Sequence, residues 1–263
     1  MIDEKFYAEK IAYILMEKTS EIEDCAIGFS GGLDSGILAY LIENSTLYTL
    51  GIKNSKDVIR AKDAAKILGR ELEIIEIGEE DVLYAAKFLL QEFGEMSIVE
   101  LSFEIPLTVL SKHCKENIIV TGQGADELFG GYKKYIGNPS LMGEDFKKLV
   151  KLTNPREIKI AEKFGKKLVC PYLSEELVSL ALEIPVELKI KNGVRKYILR
   201  EAAKLLGVPE KIYLADKMAV QYGSGVMKIL RKMAKRFGVK LADLPRIIIK
   251  WHKNQFFPRS KFL

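Results

Sequence analysis

The residues of this sequence best suited to chemistry are the six that read SGGLDS, at positions 30–35. They separate an apolar run at 25–29 from a helix-like apolar pattern at 35–44. Two glycines let the backbone turn tightly and approach a ligand, and the first N–H groups of the following helix have no partner inside it. A helix start of this kind binds anions. The segment lacks the lysine of a Walker A loop and the spacing of a dinucleotide fingerprint, so it indicates an anion site of another type.

A second group of chemically suited residues, TGQGADELFGGYKKY, occupies positions 121–135 and also follows an apolar run. Gly122 allows close backbone approach, and Asp126 and Glu127 add carboxylates at the same place. Two carboxylates beside an anion pocket repel each other unless a cation lies between them. We therefore predict a Mg²⁺ site formed by Asp34 and Asp126; the alternative is that Asp126 only caps the helix that follows.

Both groups need a sheet that brings the ends of its strands to one edge. Apolar patterns predict strands at 25–29, 47–52 and 71–77 and a further buried strand in NIIVTGQG (117–124), with helices at 4–18, 35–44, 55–69, 80–93 and 98–115. Strands that alternate with helices indicate an α/β fold with a parallel sheet covered on both faces. In such sheets ligands bind beyond the carboxyl ends of the strands. We predict a nucleotide-binding sheet domain at 1–138, a mainly helical portion at 139–227, and a basic tail at 228–263.

Composition limits the class of protein. The chain has 263 residues, of which 48% are hydrophobic and 29% charged, as in an ordinary globular protein. It contains no apolar run of about 18 residues, and its first ten residues mix acids with bases. We therefore expect a cytoplasmic protein with no membrane partner. The three cysteines are far apart and form no C-x-x-C motif, which predicts structural roles for them.

The positive net charge of +5 is concentrated in the tail, where positions 228–263 hold eleven Lys and Arg but only one acid, Asp243. Val226, Ile229, Leu230 and Met233 have helical spacing, and Trp251, Phe256 and Phe257 lie among further cations. Cations interleaved with aromatics suit a nucleic-acid surface. The alternative is a solvated amphipathic helix whose apolar side packs on the body or on another subunit.

Taken together, SGGLDS and GADELFGGY make this sequence resemble the synthetase domain of glutamine-dependent asparagine synthetases and their relatives, including the β-lactam-forming synthetases, in the PP-loop ATP pyrophosphatase superfamily. Three later segments are also similar to the family's motifs, and all occur in the family's order. They read CPYLSEELVSLALEIPVELKI, GVRKYILREAAKLLGVPEKI and DKMAVQYGSG. The resemblance extends over about residues 24–226 and therefore covers most of the chain.

The resemblance implies a reaction. The family activates a carboxylate by attack on the α-phosphorus of ATP, which releases pyrophosphate, and an amine then displaces AMP from the acyl-adenylate. Carried over, ATP and pyrophosphate would contact Ser30, Gly31, Gly32, Leu33, Asp34, Ser35 and Gly122, with adenine against the backbone of Leu50, Gly51 and Ile52. Asp34 and Asp126 would hold Mg²⁺. Lys196, Gln123 and Asp126 would be the catalytic residues, with Lys196 neutralising charge on the phosphates.

Two features depart from the family's pattern. Gln123 stands where the family usually has glutamate, and an amide can hydrogen-bond but cannot accept a proton as a carboxylate does. Gln123 therefore puts asparagine in doubt as the product. The chain also reaches its SGGLDS loop without the family's N-terminal glutaminase domain, so we expect a stand-alone synthetase. Its amine would be free ammonia, ammonia from a separate glutaminase subunit, or an amino group on another substrate.

Two other functions are compatible with the same residues. Other PP-loop enzymes adenylate nucleobases of tRNA, and the basic tail would then bind the tRNA; the lack of a paired cysteine motif disfavours thiolation among these reactions. A regulator that binds nucleotide without catalysis is the third interpretation. Asp34, Asp126 and Lys196 weigh against it, because simple ATP binding does not need all three. An AMP-forming amide ligase acting on a small carboxylate is the function we predict first.

Overall fold

The computed structural model describes residues 3–215 and 223–254, with side chains as far as Lys250. Its centre is a five-stranded sheet in the order β3-β2-β1-β4-β5, and every neighbouring pair is parallel. The strands are β1 (Cys25–Gly28), β2 (Ser45–Gly51), β3 (Leu72–Glu76), β4 (Ile118–Val120) and β5 (Lys167–Val169). The predicted parallel α/β fold is confirmed.

The first four strands are those that the sequence predicts, and the fifth is not. β5 is only three residues long, and its first residue, Lys167, is exposed. The segment around it shows no strand-like alternation and reads as mainly helical, so the sequence analysis predicts no strand here. It nevertheless belongs to the sheet, because it pairs with β4 from Ile118↔Lys167 to Val120↔Val169. A short antiparallel pair, β6 (Ile190–Lys191) and β7 (Val194–Arg195), lies apart from the sheet.

Helices connect and cover the strands. Those before β4 are α1 (Glu4–Thr19), α2 (Leu33–Leu41), α3 (Lys56–Leu68), α4 (Glu79–Phe93) and α5 (Ile98–His113). Between β4 and β6 come α6 (Ala125–Phe129), α7 (Lys134–Gly137), α8 (Leu141–Lys148), α9 (Asn154–Lys163), α10 (Glu175–Glu183) and α11 (Val186–Lys189), with a π-helical stretch, Leu149–Thr153, before α9. The last are α12 (Tyr197–Leu205), α13 (Glu210–Tyr213), α14 (Val226–Arg236) and α15 (Leu244–Asn254).

The two faces of the sheet carry separate apolar cores. Along β1, Cys25 and Ile27 enter a core with α1, α2, α10 and α12, whereas Ala26 enters a core with α4, α5, α14 and α15. This is the alternation that a strand imposes on its side chains. Because both faces are covered, ligands can reach the central strands only at their ends.

The first part of the basic tail packs on the body of the protein. Val226, Ile229, Leu230 and Met233 are buried against the second core, as their helical spacing predicts. The cations of α14 lie on its exposed side: Lys228, Arg231, Lys232, Lys235 and Arg236. Trp251, Phe256 and Phe257, the aromatics of the predicted nucleic-acid surface, fall outside the residues whose side chains are described. Within the described part of the chain, the helices are all too short or too polar to span a bilayer.

Candidate active site

A cavity of about 610 Å³ opens at the carboxyl ends of the central strands. The loops after β1 and β4 form its floor, α5 and α9 form one wall, and Lys196 enters just before α12. Ten of the predicted site residues line this cavity: Ser30, Gly32, Leu33, Asp34, Ser35, Leu50, Gly122, Gln123, Asp126 and Lys196. Residues that are 166 positions apart in the sequence are thus brought to one sheet edge, where the fold predicts a ligand.

The SGGLDS segment folds as a turn locked by its own serines. The Ser30 N–H donates to Ser35 Oγ at 3.2 Å, and the Gly32 N–H donates to Ser30 Oγ at 3.4 Å. Helix α2 begins at Leu33, two residues earlier than the sequence predicts, so Asp34 lies in its first turn. Ser30, Leu33, Asp34 and Ser35 all line the cavity, so the serine hydroxyls and the first N–H groups of α2 lie together there, an arrangement that binds phosphate oxygens.

Arg60 of α3 holds this turn against the body of the protein. Its Nε donates to the carbonyl oxygen of Ser30 at 2.8 Å. Gly31 adopts φ +69°, and a Cβ there would lie 2.7 Å from the Arg60 carbonyl oxygen, so only glycine fits. Gly31 therefore shapes the turn without lining the cavity, and Arg60 is a contributor that the sequence analysis missed.

Lys196 joins the two predicted metal ligands. Its Nζ lies 2.6 Å from both carboxylate oxygens of Asp34 and 2.7 Å from Asp126 Oδ1. The lysine is only 3% exposed. Burial lowers the pKa of its ammonium, and the charge of Asp34 acts against this shift. The cation between the two carboxylates in this structure is thus the lysine itself.

The backbone around Lys196 directs its side chain inward. Lys196 has φ +57°, a left-handed conformation that a residue with a Cβ adopts only at a cost of about 1 to 3 kcal/mol. On one side, Arg195 donates to the carbonyl oxygen of Gly131 at 2.7 Å. On the other, Arg200 Nε donates to the carbonyl oxygen of Arg195 at 2.9 Å. The N–H of Gly131 in turn donates to the Asp126 carbonyl oxygen at 2.8 Å, so lysine and aspartate are positioned by one network.

Gly122 allows the two loops to touch. A Cβ at Gly122 would lie 2.8 Å from the Cβ of Asp34, closer than carbon atoms can approach. Asp126 does not cap the helix after this loop, because the N-cap of α6 is Gly124 and Asp126 lies in its first turn. The predicted juxtaposition of the two aspartates is therefore present, and the capping alternative is wrong.

Only part of the predicted adenine contact faces the cavity. Leu50 lines the cavity, whereas Gly51 and Ile52 are not among the described residues that line it. Their backbones are engaged elsewhere: the Gly51 carbonyl oxygen accepts from the Ile77 N–H at 3.1 Å, and the Ile52 N–H donates to the Ser224 carbonyl oxygen at 2.9 Å. The Gly51 carbonyl therefore binds the residue after β3, and the Ile52 N–H holds the segment that precedes α14.

Gln123 connects the loop after β4 to a group of charged residues that the sequence analysis missed. Its Nε2 donates to Glu157 Oε1 at 3.1 Å. Nearby, Arg156 reaches Glu100 at 3.2 Å and Glu104 at 3.3 Å. These four residues, Glu100, Glu104, Arg156 and Glu157, are called the acidic end of the cavity below. They come from helices α5 and α9, and only the tertiary packing of these helices brings them together.

Burial raises the pKa of two carboxyls at the acidic end. It raises the pKa of Glu104 to about 7, against the favourable charge of Arg156. Burial also raises the pKa of Glu157 well above its usual range, and the charge of Glu104 raises it further. The charge of Glu100 also raises the pKa of Glu104, so neighbouring carboxylates add to the effect of burial at both groups.

The donor set fits Mg²⁺ that is shared with a phosphate ligand. Asp34 and Asp126 place their oxygens within hydrogen-bond distance of one point, the position of the Lys196 ammonium. Carboxylate oxygens are hard ligands, and Mg²⁺ commonly takes one or two of them together with substrate phosphates and water. Among the described residues there is no cluster of three or more His, Cys, Asp and Glu able to hold a metal alone. The site therefore suits a cation that arrives with its phosphates.

Comparison with known proteins agrees with this geometry. The family model described as asparagine synthase matches residues 19–168 and 159–261. The chain belongs to the asparagine synthase family. The cavity that contains the SGGLDS turn, Asp34, Asp126 and Lys196 is therefore the candidate active site of a family member.

Individual relatives match over most of this chain but over a smaller part of their own. The "Putative asparagine synthetase (glutamine-hydrolyzing) 1" of Methanocaldococcus jannaschii is 30% identical over 289 residues, covering 89% of this chain and 53% of the relative. The asparagine synthetase (glutamine-hydrolyzing) of Gallus gallus is 28% identical, covering 76% and 39%. The chain spans about half the length, or less, of these curated relatives. Among solved structures, NMN synthetase from Francisella tularensis superposes with a TM-score of 0.44 at 16% identity, covering 99% of this chain and 96% of that one.

Proposed function

We propose that this protein is an ATP-dependent ligase that activates a carboxylate and transfers it to an amine. In the first step a carboxylate oxygen attacks the α-phosphorus of ATP, and pyrophosphate leaves. In the second step an amine nitrogen attacks the acyl carbon, the bond to the AMP oxygen breaks, and the nitrogen loses a proton. The observation that carries the proposal is the contact of Lys196 with both Asp34 and Asp126 beside the phosphate-type turn.

Each part of the cavity has a task in this reaction. The Ser30 and Ser35 hydroxyls and the first N–H groups of α2 bind the oxygens of the leaving pyrophosphate. Asp34 and Asp126 hold Mg²⁺, which supplies charge neutralisation and orients the phosphates when it is bound. The Lys196 ammonium, buried and fixed by its neighbours, stabilises negative charge that develops on the phosphates. Leu50 lies against the base, with the strand end behind it.

Exchange between ATP and pyrophosphate tests the proposal directly. The full chain is incubated with ATP, Mg²⁺ and labelled pyrophosphate, with a panel of small carboxylates that includes aspartate. The proposal expects at least one carboxylate to stimulate exchange, because adenylation is reversible before the amine arrives. A chain that exchanges no label with any member of a broad panel, and forms no AMP, would contradict it.

A second candidate, adenylation of a base in tRNA, has one observation in its favour. Lys228, Arg231, Lys232 and Lys235 form an exposed basic side of α14, and the helix start adjoins the strand end near Leu50. Phosphates of a nucleic acid would find this side accessible. The same assay separates the two candidates, since AMP release that requires bulk tRNA and no added carboxylate favours tRNA modification.

A further inference from the structure

The acidic end of the cavity contains a buried carboxylate oxygen that lacks a partner. Glu104 is 1% exposed, and its Oε1 faces Arg156 at 3.3 Å. Its Oε2 is buried and makes no hydrogen bond within the described part of the chain, although the residue lines the cavity. A buried acceptor without a donor costs about 1 to 3 kcal/mol, and more when it is charged. This cost points to a donor that is supplied by a ligand.

The charge balance of this end points to a cationic donor. Three carboxyls, Glu100, Glu104 and Glu157, surround one guanidinium, that of Arg156. Arg156 already divides its two Nη atoms between Glu100 and Glu104, and Gln123 contributes a neutral amide to Glu157. Burial raises the pKa values of Glu104 and Glu157, and the neighbouring carboxylates raise them further, so a positively charged group would favour their ionised forms. An anionic group would increase it.

The surroundings favour an organic cation over a small ion. Three large apolar side chains that line the cavity are left exposed: Val99 at 54%, Phe103 at 45% and Leu152 at 55%. Exposed apolar side chains that line a cavity offer burial to the hydrocarbon part of a ligand. Free ammonia or ammonium would leave this surface uncovered.

The acidic end also lies where the second substrate must enter. Gln123 follows Gly122, whose backbone packs against Asp34, so one residue separates the phosphate site from the acidic end. The acyl group of an adenylate held at the phosphate site would lie near this boundary. A nucleophile bound at the acidic end can then reach it from the side away from the nucleotide.

From these observations we infer that the acidic end binds the amine substrate of the ligase, an organic amine with its hydrocarbon stem on Val99, Phe103 and Leu152. Its nitrogen binds Glu104 and Glu157 in the protonated form and gives one proton to one of these carboxylates, and the neutral amine that results attacks the acyl carbon. The inference rests on the proposed function. It makes free ammonia a poor amine for this chain, and it gives Gln123 the task of holding Glu157 in place.

Calorimetric titration with n-pentylamine and, separately, with ammonium chloride tests the inference without turnover. The amine should bind the wild type and ammonium should not compete with it at equal concentration. Glu104→Gln should weaken n-pentylamine binding about 10-fold or more, as expected for a hydrogen bond to a charged group. Glu92→Gln makes the same charge change at a carboxylate that pairs with Lys163 outside the cavity and should leave binding unchanged. Glu157→Gln provides a second variant if Glu104→Gln does not fold.

Steady-state kinetics then shows whether the cation that binds the acidic end belongs to the amine substrate or to the carboxylate substrate. With a carboxylate found by pyrophosphate exchange, Glu104→Gln should raise the KM for the amine by a larger factor than the KM for the carboxylate. A variant that raises the KM of the carboxylate instead would place the cation on the acyl substrate and overturn the inference. Equal binding of n-pentylamine by wild type and both variants would also overturn it. Loss of exchange in the wild type, with amine binding intact, would contradict the proposed function and not this site.

Discussion

Removing the charge of Lys196 should destabilise the protein in a way that Mg²⁺ reverses. Lys196→Met keeps much of the side-chain volume and leaves Asp34 and Asp126 facing each other without a cation. Taking away one partner of a buried ion pair costs about 3 to 5 kcal/mol, since the remaining charge stays buried. Here two carboxylates remain, so the loss should reach that range. A chain of this size loses about 2 °C of Tm for each kcal/mol, which predicts a fall of roughly 6 to 10 °C.

Urea denaturation and thermal melting, each with and without Mg²⁺, measure this effect. Mg²⁺ bound between the two carboxylates should restore part of the loss, by about 2.7 kcal/mol when its concentration is 100 times its Kd. Lys163→Met serves as the control, because that lysine is 43% exposed in its pair with Glu92 and such pairs contribute about 0 to 1 kcal/mol. If Lys196→Met is as stable as the control, or if Mg²⁺ stabilises both variants equally, the reasoning about the three charges is refuted.

Three further predictions concern neighbouring positions. Asp34→Asn should reduce Mg²⁺-dependent pyrophosphate exchange by about 100-fold or more, the usual loss when one group that stabilises the transition state is removed; retained exchange would contradict its metal role. Gly122→Ala places a Cβ 2.8 Å from that of Asp34 and should cost about 1 to 3 kcal/mol in urea unfolding, whereas Gly143→Ala, with open space around it in α8, should be neutral or stabilising. The pKa of Glu104 is raised from 4.5 to about 7 in the folded protein, so the folded state binds more protons than the unfolded state between these pH values. The free energy of unfolding should therefore fall as pH rises from about 4.5 to 7, and Glu104 contributes at most about 1.4 kcal/mol per pH unit to this fall. Glu104→Gln should flatten that part of the profile of unfolding free energy against pH.

The residues of the proposed phosphate site were predictable because most of them lie close together in the sequence. The turn at 30–35 carries its glycines, serines and aspartate within six residues, and the fold places such a turn at the end of a strand. Asp126 was predictable by the same rule, because it comes soon after the end of strand β4 as Asp34 comes soon after the end of β1. The predicted start of α2 was two residues late, since sequence pattern alone does not distinguish the last loop residue from the first turn of a helix.

The acidic end could not be predicted in this way. Glu104 lies in the middle of α5 and Glu157 near the start of α9, in segments that read as ordinary amphipathic helices. Their meeting depends on how α5 packs against α9, which no periodicity encodes. The short strand β5 was missed for a related reason, because its place in the sheet depends on its partner β4 and not on its own pattern.

The position of Lys196 relates the stability of the site to the proposed reaction. Asp34 and Asp126, which on the proposed function would hold Mg²⁺, repel each other as two neighbouring carboxylates, and Lys196 contacts both. On the proposed function, Mg²⁺ would supply a counter-charge to the two carboxylates, and the phosphates of ATP would supply one to the ammonium. The left-handed backbone at residue 196 holds the lysine beside both carboxylates. Lys196→Met should therefore lower the stability of the protein without ligand and, on the proposed function, the rate of pyrophosphate exchange as well.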